Sequence, residues 1–171
     1  MKTTKLEKIS ACRDAIEWVA NQKNYKEAWQ NCERGDWMLW LAKRLKVDDR
    51  KLTLAKFKCA NQVRHLMKDK RSIDALDAAE KYGNGEISRE ELITAAYAAA
   101  YAAAYDAADA AAYAAAYAAA YAAADAAYAA AYAAADAADA AYARKESLKK
   151  SADFCREILT EDVLTAYAKL R

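Results

Sequence analysis

The chain has no proline, only three glycines (Gly35, Gly83, Gly85) and a single histidine, His65, in 171 residues. Sheet proteins need many tight turns, and turns draw on proline and glycine, so the scarcity of both points to an all-α fold. His65 has no cysteine or carboxylate at a ligand spacing, which makes it a structural residue rather than a metal ligand or general base. No Ser–His–Asp set, no glycine-rich phosphate loop and no paired metal motif is present. Neither an enzyme nor a cofactor is therefore expected. The four cysteines (Cys12, Cys32, Cys59, Cys155) are widely scattered, with no C-x-x-C pair. Met1-Lys2-Thr3-Thr4-Lys5 runs straight into an amphipathic pattern and does not resemble a signal peptide. Together these suggest small buried thiols in a reducing cytosol.

What the chain has instead is alanine. From Ala95 to Ala143 only three residue types occur: 35 Ala, 9 Tyr and 5 Asp over 49 positions. Alanine is the best helix former, and tetrads such as Tyr97-Ala-Ala-Ala-Tyr101 put a ring on the same side about every turn. The segment is too rich in Asp, and alanine too weakly hydrophobic, for a membrane span. The five Asp make the tract −5, so a chain of net +2 leaves +7 on the remainder. Cations are absent between Arg89 and Arg144 and concentrate on either side. With no turn residue between Ser88 and Ser147, one unbroken helix would be about 80 Å long at 1.5 Å per residue. It then projects from the body, or breaks near Asp106, Asp109, Asp125 or Asp136, where Asp can cap a new start. Four-residue steps turn the tyrosine stripe by about 40° each beyond a full turn, so the rings wind round a straight helix. One long helix, kinked or not, is preferred over a hairpin. The ring-and-alanine surface suits close helix packing, and self-association follows from it.

Local signals organise the rest. Thr4 to Glu7 reads as a capping box opening a first helix over about 5–21, and Asn24 with Glu27 opens a second. Gly35 reads as the residue that ends the second helix, and Asp36 as the cap of a third, Trp37 to Leu45. Asp48 caps a fourth helix to about Met67, Ser72 starts a fifth that Gly83 ends, and Ser88 to Glu91 is a box launching the tract. Thr160 restarts a last short helix. The expected architecture is a bundle over 1–87, a low-complexity helix over 88–143, and C-terminal helices over 144–171 that pack back on the bundle. The run Glu80 to Glu91 matches a calcium loop at several positions, but Glu80 and Tyr82 stand where stronger ligands belong, so a helix–loop–helix corner is the better reading. Arg34-Gly35-Asp36 is read as a helix stop followed by a cap.

Arginine beside tryptophan and tyrosine is what a protein needs to hold a phosphate and stack a base at once. The candidate ligand-binding residues are therefore Trp37, Trp40, Arg44, Arg64, Lys68, Tyr97, Tyr101 and Arg144, with no catalytic or metal residue. Arg64, Lys68 and Arg71 are expected on one stripe of the fourth helix, and Lys145, Lys149 and Arg156 on one stripe of the return element.

Glu27-Ala-Trp29, Cys32-Glu-Arg34-Gly35-Asp36-Trp37-Met-Leu-Trp40-Leu41 and Gly85-Glu-Ile-Ser-Arg-Glu-Glu-Leu92, followed by an Ala/Tyr/Asp tract, resemble a family described as putative immunity proteins of bacteria and their phages. The resemblance implies neutralisation of something harmful, and it carries no catalytic residues over. Two classes of function follow. One is an anti-defence binder that sequesters a nucleotide-derived signal, an ADP-ribose derivative or cyclic nucleotide, in a pocket between the N-terminal bundle and a helix, with a homo-oligomer interface as a variant of that placement. The other is a protein that caps a protein toxin, with a structural helical assembly protein as the plainest alternative. No membrane or nucleic-acid partner is expected, and the location implied is cytoplasmic.

Overall fold

The computed structural model describes residues 3–67, 69–101 and 124–170, with side chains from 141 onward in the last segment. The fold is all-α, and no strand occurs among the described residues. In chain order the helices are α1 (Thr4–Lys8), α2 (Arg13–Ala20), α3 (Tyr25–Asn31), α4 (Gly35–Arg44), α5 (Asp49–Asn61), α6 (Lys70–Gly83), α7 (89–101) and α8 (Ala124–Lys169). A 3₁₀ turn at Arg64–Leu66 separates α5 from α6. The expected continuity of the alanine tract, one helix or a hairpin, turns on residues 102–123 and lies outside the described residues.

Three caps follow the sequence signals. Asn24 and Asp48 accept from the N–H groups of Glu27 and Lys51, both at 2.9 Å, each satisfying an orphan donor of a first turn. Ser88 and Glu91 form the reciprocal box, with Glu91 N donating to Ser88 Oγ at 3.2 Å and Ser88 N to Glu91 Oε2 at 2.8 Å. Other signals are displaced. The cap of α1 is Thr3, and the box at Thr4 does not form. Asp69 rather than Ser72 caps α6, accepting from Arg71 N at 2.7 Å.

The helix expected over 5–21 is two helices. Ser10 takes φ 61°, Ala11 N donates to Leu6 O at 3.0 Å and Ser10 N to Glu7 O at 2.9 Å. That is a Schellman end with serine where glycine is usual. Lys46 (φ 54°) closes α4 in the same way, and Gly85 (φ 84°) closes α6. Gly83 is the last residue of α6, as expected, but Gly85 is the residue that needs left-handed freedom. Two non-glycine positions in this region conceal helix ends from pattern reading.

Gly35 also has a different task from the one expected. It is the first residue of α4, and a Cβ there would stand 2.7 Å from Ala152 N and closer still to Ser151 Cβ. Its missing side chain lets α4 approach α8, and Asp36 is not the cap of α4.

The C-terminal half of α8 lies against α3, α4 and α5. Ala152, Cys155, Leu159 and Val163 recur at helical spacing, and all four are at most 1% exposed. They meet Trp29, Cys32, Met38, Ala42, Leu52 and Ala55 in one core. Thr160 does not restart a helix. Its hydroxyl donates to Arg156 O at 2.5 Å, one turn back, and α8 runs through it unbroken. The positive stripe expected on a fourth helix is also absent, because α5 ends at Asn61 and places Arg64 and Arg71 on separate elements.

Candidate functional site

All four tryptophans of the chain, Trp18, Trp29, Trp37 and Trp40, line one cavity of about 390 Å³. Tyr25 and Tyr167 complete its aromatic wall. The cavity is formed where α1, α2, α3 and α4 meet the end of α8, so residues 6 to 41 and 163 to 167 share it. Its volume is of the size that holds a small molecule.

Packing among the rings sets their orientation. Trp18 and Trp37 meet edge to face, with centroids 6.3 Å apart and planes at 61°. Tyr25 and Tyr167 approach to 4.3 Å. Trp29 donates from Nε1 to Thr160 Oγ1 at 2.8 Å, which anchors the buried wall to α8. Trp40 is 36% exposed and stands nearer solvent.

Three cations lie over three of these rings. Arg34 Cζ is 4.3 Å from the Trp37 centroid, Arg44 Cζ is 5.9 Å from that of Trp40, and Lys5 Nζ is 5.4 Å from that of Tyr167. Asp36, the acidic residue of the lining, is gripped by Arg34 through Nε at 2.8 Å and Nη2 at 2.6 Å. That fork holds the Asp36 carboxyl below the usual carboxylate range, against the opposing effect of partial burial. Burial pushes the Tyr167 phenol up, with the neighbouring Tyr25 hydroxyl adding to the shift, so it stays protonated at neutral pH. Burial likewise pushes up the Cys32 thiol in the same wall.

The basic residues have a structural task that pattern reading did not show. Helix C-termini leave carbonyls without intrahelical partners, and cations suit that end of the dipole. Arg44 donates to Ile9 O at the end of α1, from Nε at 3.1 Å and Nη2 at 2.9 Å. Arg156 Nη1 donates to Cys32 O at 2.7 Å and Gln30 O at 3.1 Å at the end of α3. Arg50 Nη1 reaches Tyr82 O at 2.6 Å at the end of α6, and Lys5 reaches Tyr167 O at 3.3 Å near the end of α8. Lys149 pairs with Glu33 at 3.2 Å, so Lys149 and Arg156 of the return-element stripe are engaged by α3 and the turn after it.

Of the eight residues expected to bind a ligand, Trp37, Trp40 and Arg44 are brought together at this cavity. Arg64 is elsewhere, paired bidentately with Asp77 of α6. Tyr97 and Tyr101 are exposed on α7, Arg144 is exposed on α8, and Lys68 lies outside the described residues. Trp18, Trp29, Tyr25, Tyr167, Arg34 and Lys5 were not anticipated. The confinement of all four tryptophans to residues 18–40 was the available signal for the first two. Tyr167 carried none, because it reaches the cavity from the far end of the chain.

No family model, no curated protein and no solved structure matches the chain. Among the described residues no group of His, Cys, Asp and Glu is placed to hold a metal ion, and no helix is long and apolar enough to cross a membrane.

Proposed function

We propose that this chain is a non-catalytic binding protein that sequesters a nucleotide-derived signal, in keeping with the immunity or anti-defence role its motifs suggest. The convergence of all four tryptophans on one cavity carries the reading. A flat base entering it meets ring faces, and each stacked base is worth about 1–3 kcal/mol. The phosphate belongs at the rim. Arg44 directs Nε and Nη2 at Ile9 O, which leaves Nη1 for an anion beside Trp40. Arg34 supplies a second guanidinium if phosphate displaces Asp36 from its fork. Isothermal titration with ADP-ribose and with cyclic dinucleotides tests this. A micromolar or tighter complex is expected for one of them, weakened about tenfold or more by Trp40→Ala through the lost stacking. No heat at high micromolar concentration with any of the panel overturns the proposal.

A second reading, capping of a protein toxin, is favoured by Ile93, Tyr97 and Tyr101, which are exposed at four-residue spacing along α7. The same stripe suits another copy of this chain. Light scattering of the wild type and of Tyr97→Ala/Tyr101→Ala separates the two. A mass that falls on substitution assigns the stripe to self-association, and a monomer in both leaves it to a toxin.

A further inference from the structure

We propose that Cys59 of α5 and Cys155 of α8 are a peroxide-sensitive thiol pair that closes to a disulfide joining the two helices. Cys59 Sγ lies 3.9 Å from Ser151 O, on the turn of α8 that leads to Cys155. Three residues on, just past the end of α5, Gln62 Nε2 donates to Ser151 Oγ at 3.1 Å, which fixes this end of α5 on that turn. The two thiols lie close enough to influence each other's ionisation. Helices can come this close because the facing residues are small: Ala55 and Ala152 are fully buried, and Ser151 is 8% exposed. A short gap is what a disulfide requires, with Cβ atoms about 3.5–4.5 Å apart.

The pair is asymmetric. Cys59 is half-buried and reachable from solvent, whereas Cys155 is sealed in the core with its Sγ 3.9 Å from Gly35 O. Proximity to Cys155 holds the Cys59 pKa down to about 7 against the opposing effect of burial, while the same proximity pushes Cys155 up. Cys59 is therefore the attacking sulfur and Cys155 the resolving one. Cys59 thiolate attacks one oxygen of hydrogen peroxide, the O–O bond breaks, and the departing hydroxide takes up a proton to leave as water. The resulting sulfenic acid is then attacked by the Cys155 sulfur. The S–S bond forms, the S–O bond breaks, and the leaving hydroxide departs as water with the Cys155 proton. The two sulfurs together lose two electrons, and the peroxide is reduced to two waters. The link encloses the whole alanine tract in one covalent loop and ties its return helix to α5.

The full chain carrying Cys12→Ser, which removes the exposed thiol, is treated with hydrogen peroxide, alkylated under denaturing conditions and digested without reduction. A peptide joining Cys59 to Cys155 is expected, absent after dithiothreitol and absent from a Cys59→Ser variant, in which Cys155 remains alkylatable. The melting temperature is expected to rise on oxidation and to return on reduction. Oxidation of Cys59 to sulfinic acid with Cys155 still alkylatable overturns the proposal, and so does a protein that peroxide leaves unlinked.

Discussion

Replacing Gly35 with alanine is expected to destabilise the fold by about 3 kcal/mol, although alanine is the better helix former by about 1 kcal/mol. The added methyl would stand 2.7 Å from Ala152 N and closer to Ser151 Cβ, and neither can yield by a side-chain rotation. Relief requires α4 and α8 to separate, which loosens the packing of Met38, Ala42, Cys155 and Leu159 together. Steric strain wins because it acts on backbone, whereas helix propensity at this one residue contributes only about 1 kcal/mol. Urea denaturation followed by far-ultraviolet circular dichroism measures it. At 2–4 °C per kcal/mol for a chain of this size, the melting temperature should drop by roughly 10 °C. An unchanged or raised midpoint would show that Gly35 marks only a helix boundary.

Trp29→Ala is expected to cost about 4 kcal/mol, the usual range for removing a buried large aromatic. Trp29 is 4% exposed, belongs to the core and lines the cavity, so the loss creates a void continuous with it. Trp29→Phe separates packing from hydrogen bonding. It keeps a ring but removes the Nε1 donor to Thr160 Oγ1, a loss of about 1 kcal/mol beyond the change in size. Thr160 still donates to Arg156 O, so the threonine is not left without a partner. Denaturant midpoints of the two variants give the division. Equal losses from both would mean that the indole N–H, rather than the filled volume, holds this wall to α8.

The fold class was legible because helix signals are local. Asn24, Asp48 and Ser88 each accept from an N–H three residues ahead, a relation written wholly in neighbouring sequence. Helix ends were less legible. Ser10 and Lys46 adopt left-handed backbone that glycine would have advertised, and the strain of order 1 kcal/mol is borne by the contacts around them. At Ser10 the Ile9 carbonyl beside it is held by Arg44, thirty-five residues away in sequence. The candidate site was half legible for the same reason. Trp37, Trp40 and Arg44 lie within eight positions on one helix and its end, but Tyr167 and Lys5 join them only through the docking of α8.

Arginine next to an aromatic residue proved an ambiguous signal. Arg50 lies 4.5 Å from the Tyr82 centroid, yet its donors go to Tyr82 O and Ile87 O. Arg156 closes α3 rather than lining the cavity. A helical protein of short segments has many C-terminal carbonyls to satisfy, and cations are the means available to it.

The amino-acid sequence by itself determined that the chain is helical, where α3, α5 and α7 begin, and that the alanine tract carries acid but no base. These follow from propensity, capping and composition, which act over a few residues. The tertiary structure alone decided that Gly35 serves close approach, that Cys59 lies against the Ser151 turn of α8, and that four tryptophans face one cavity closed by the end of α8. Each depends on helices distant in sequence being packed to native density, and no local pattern encodes that distance.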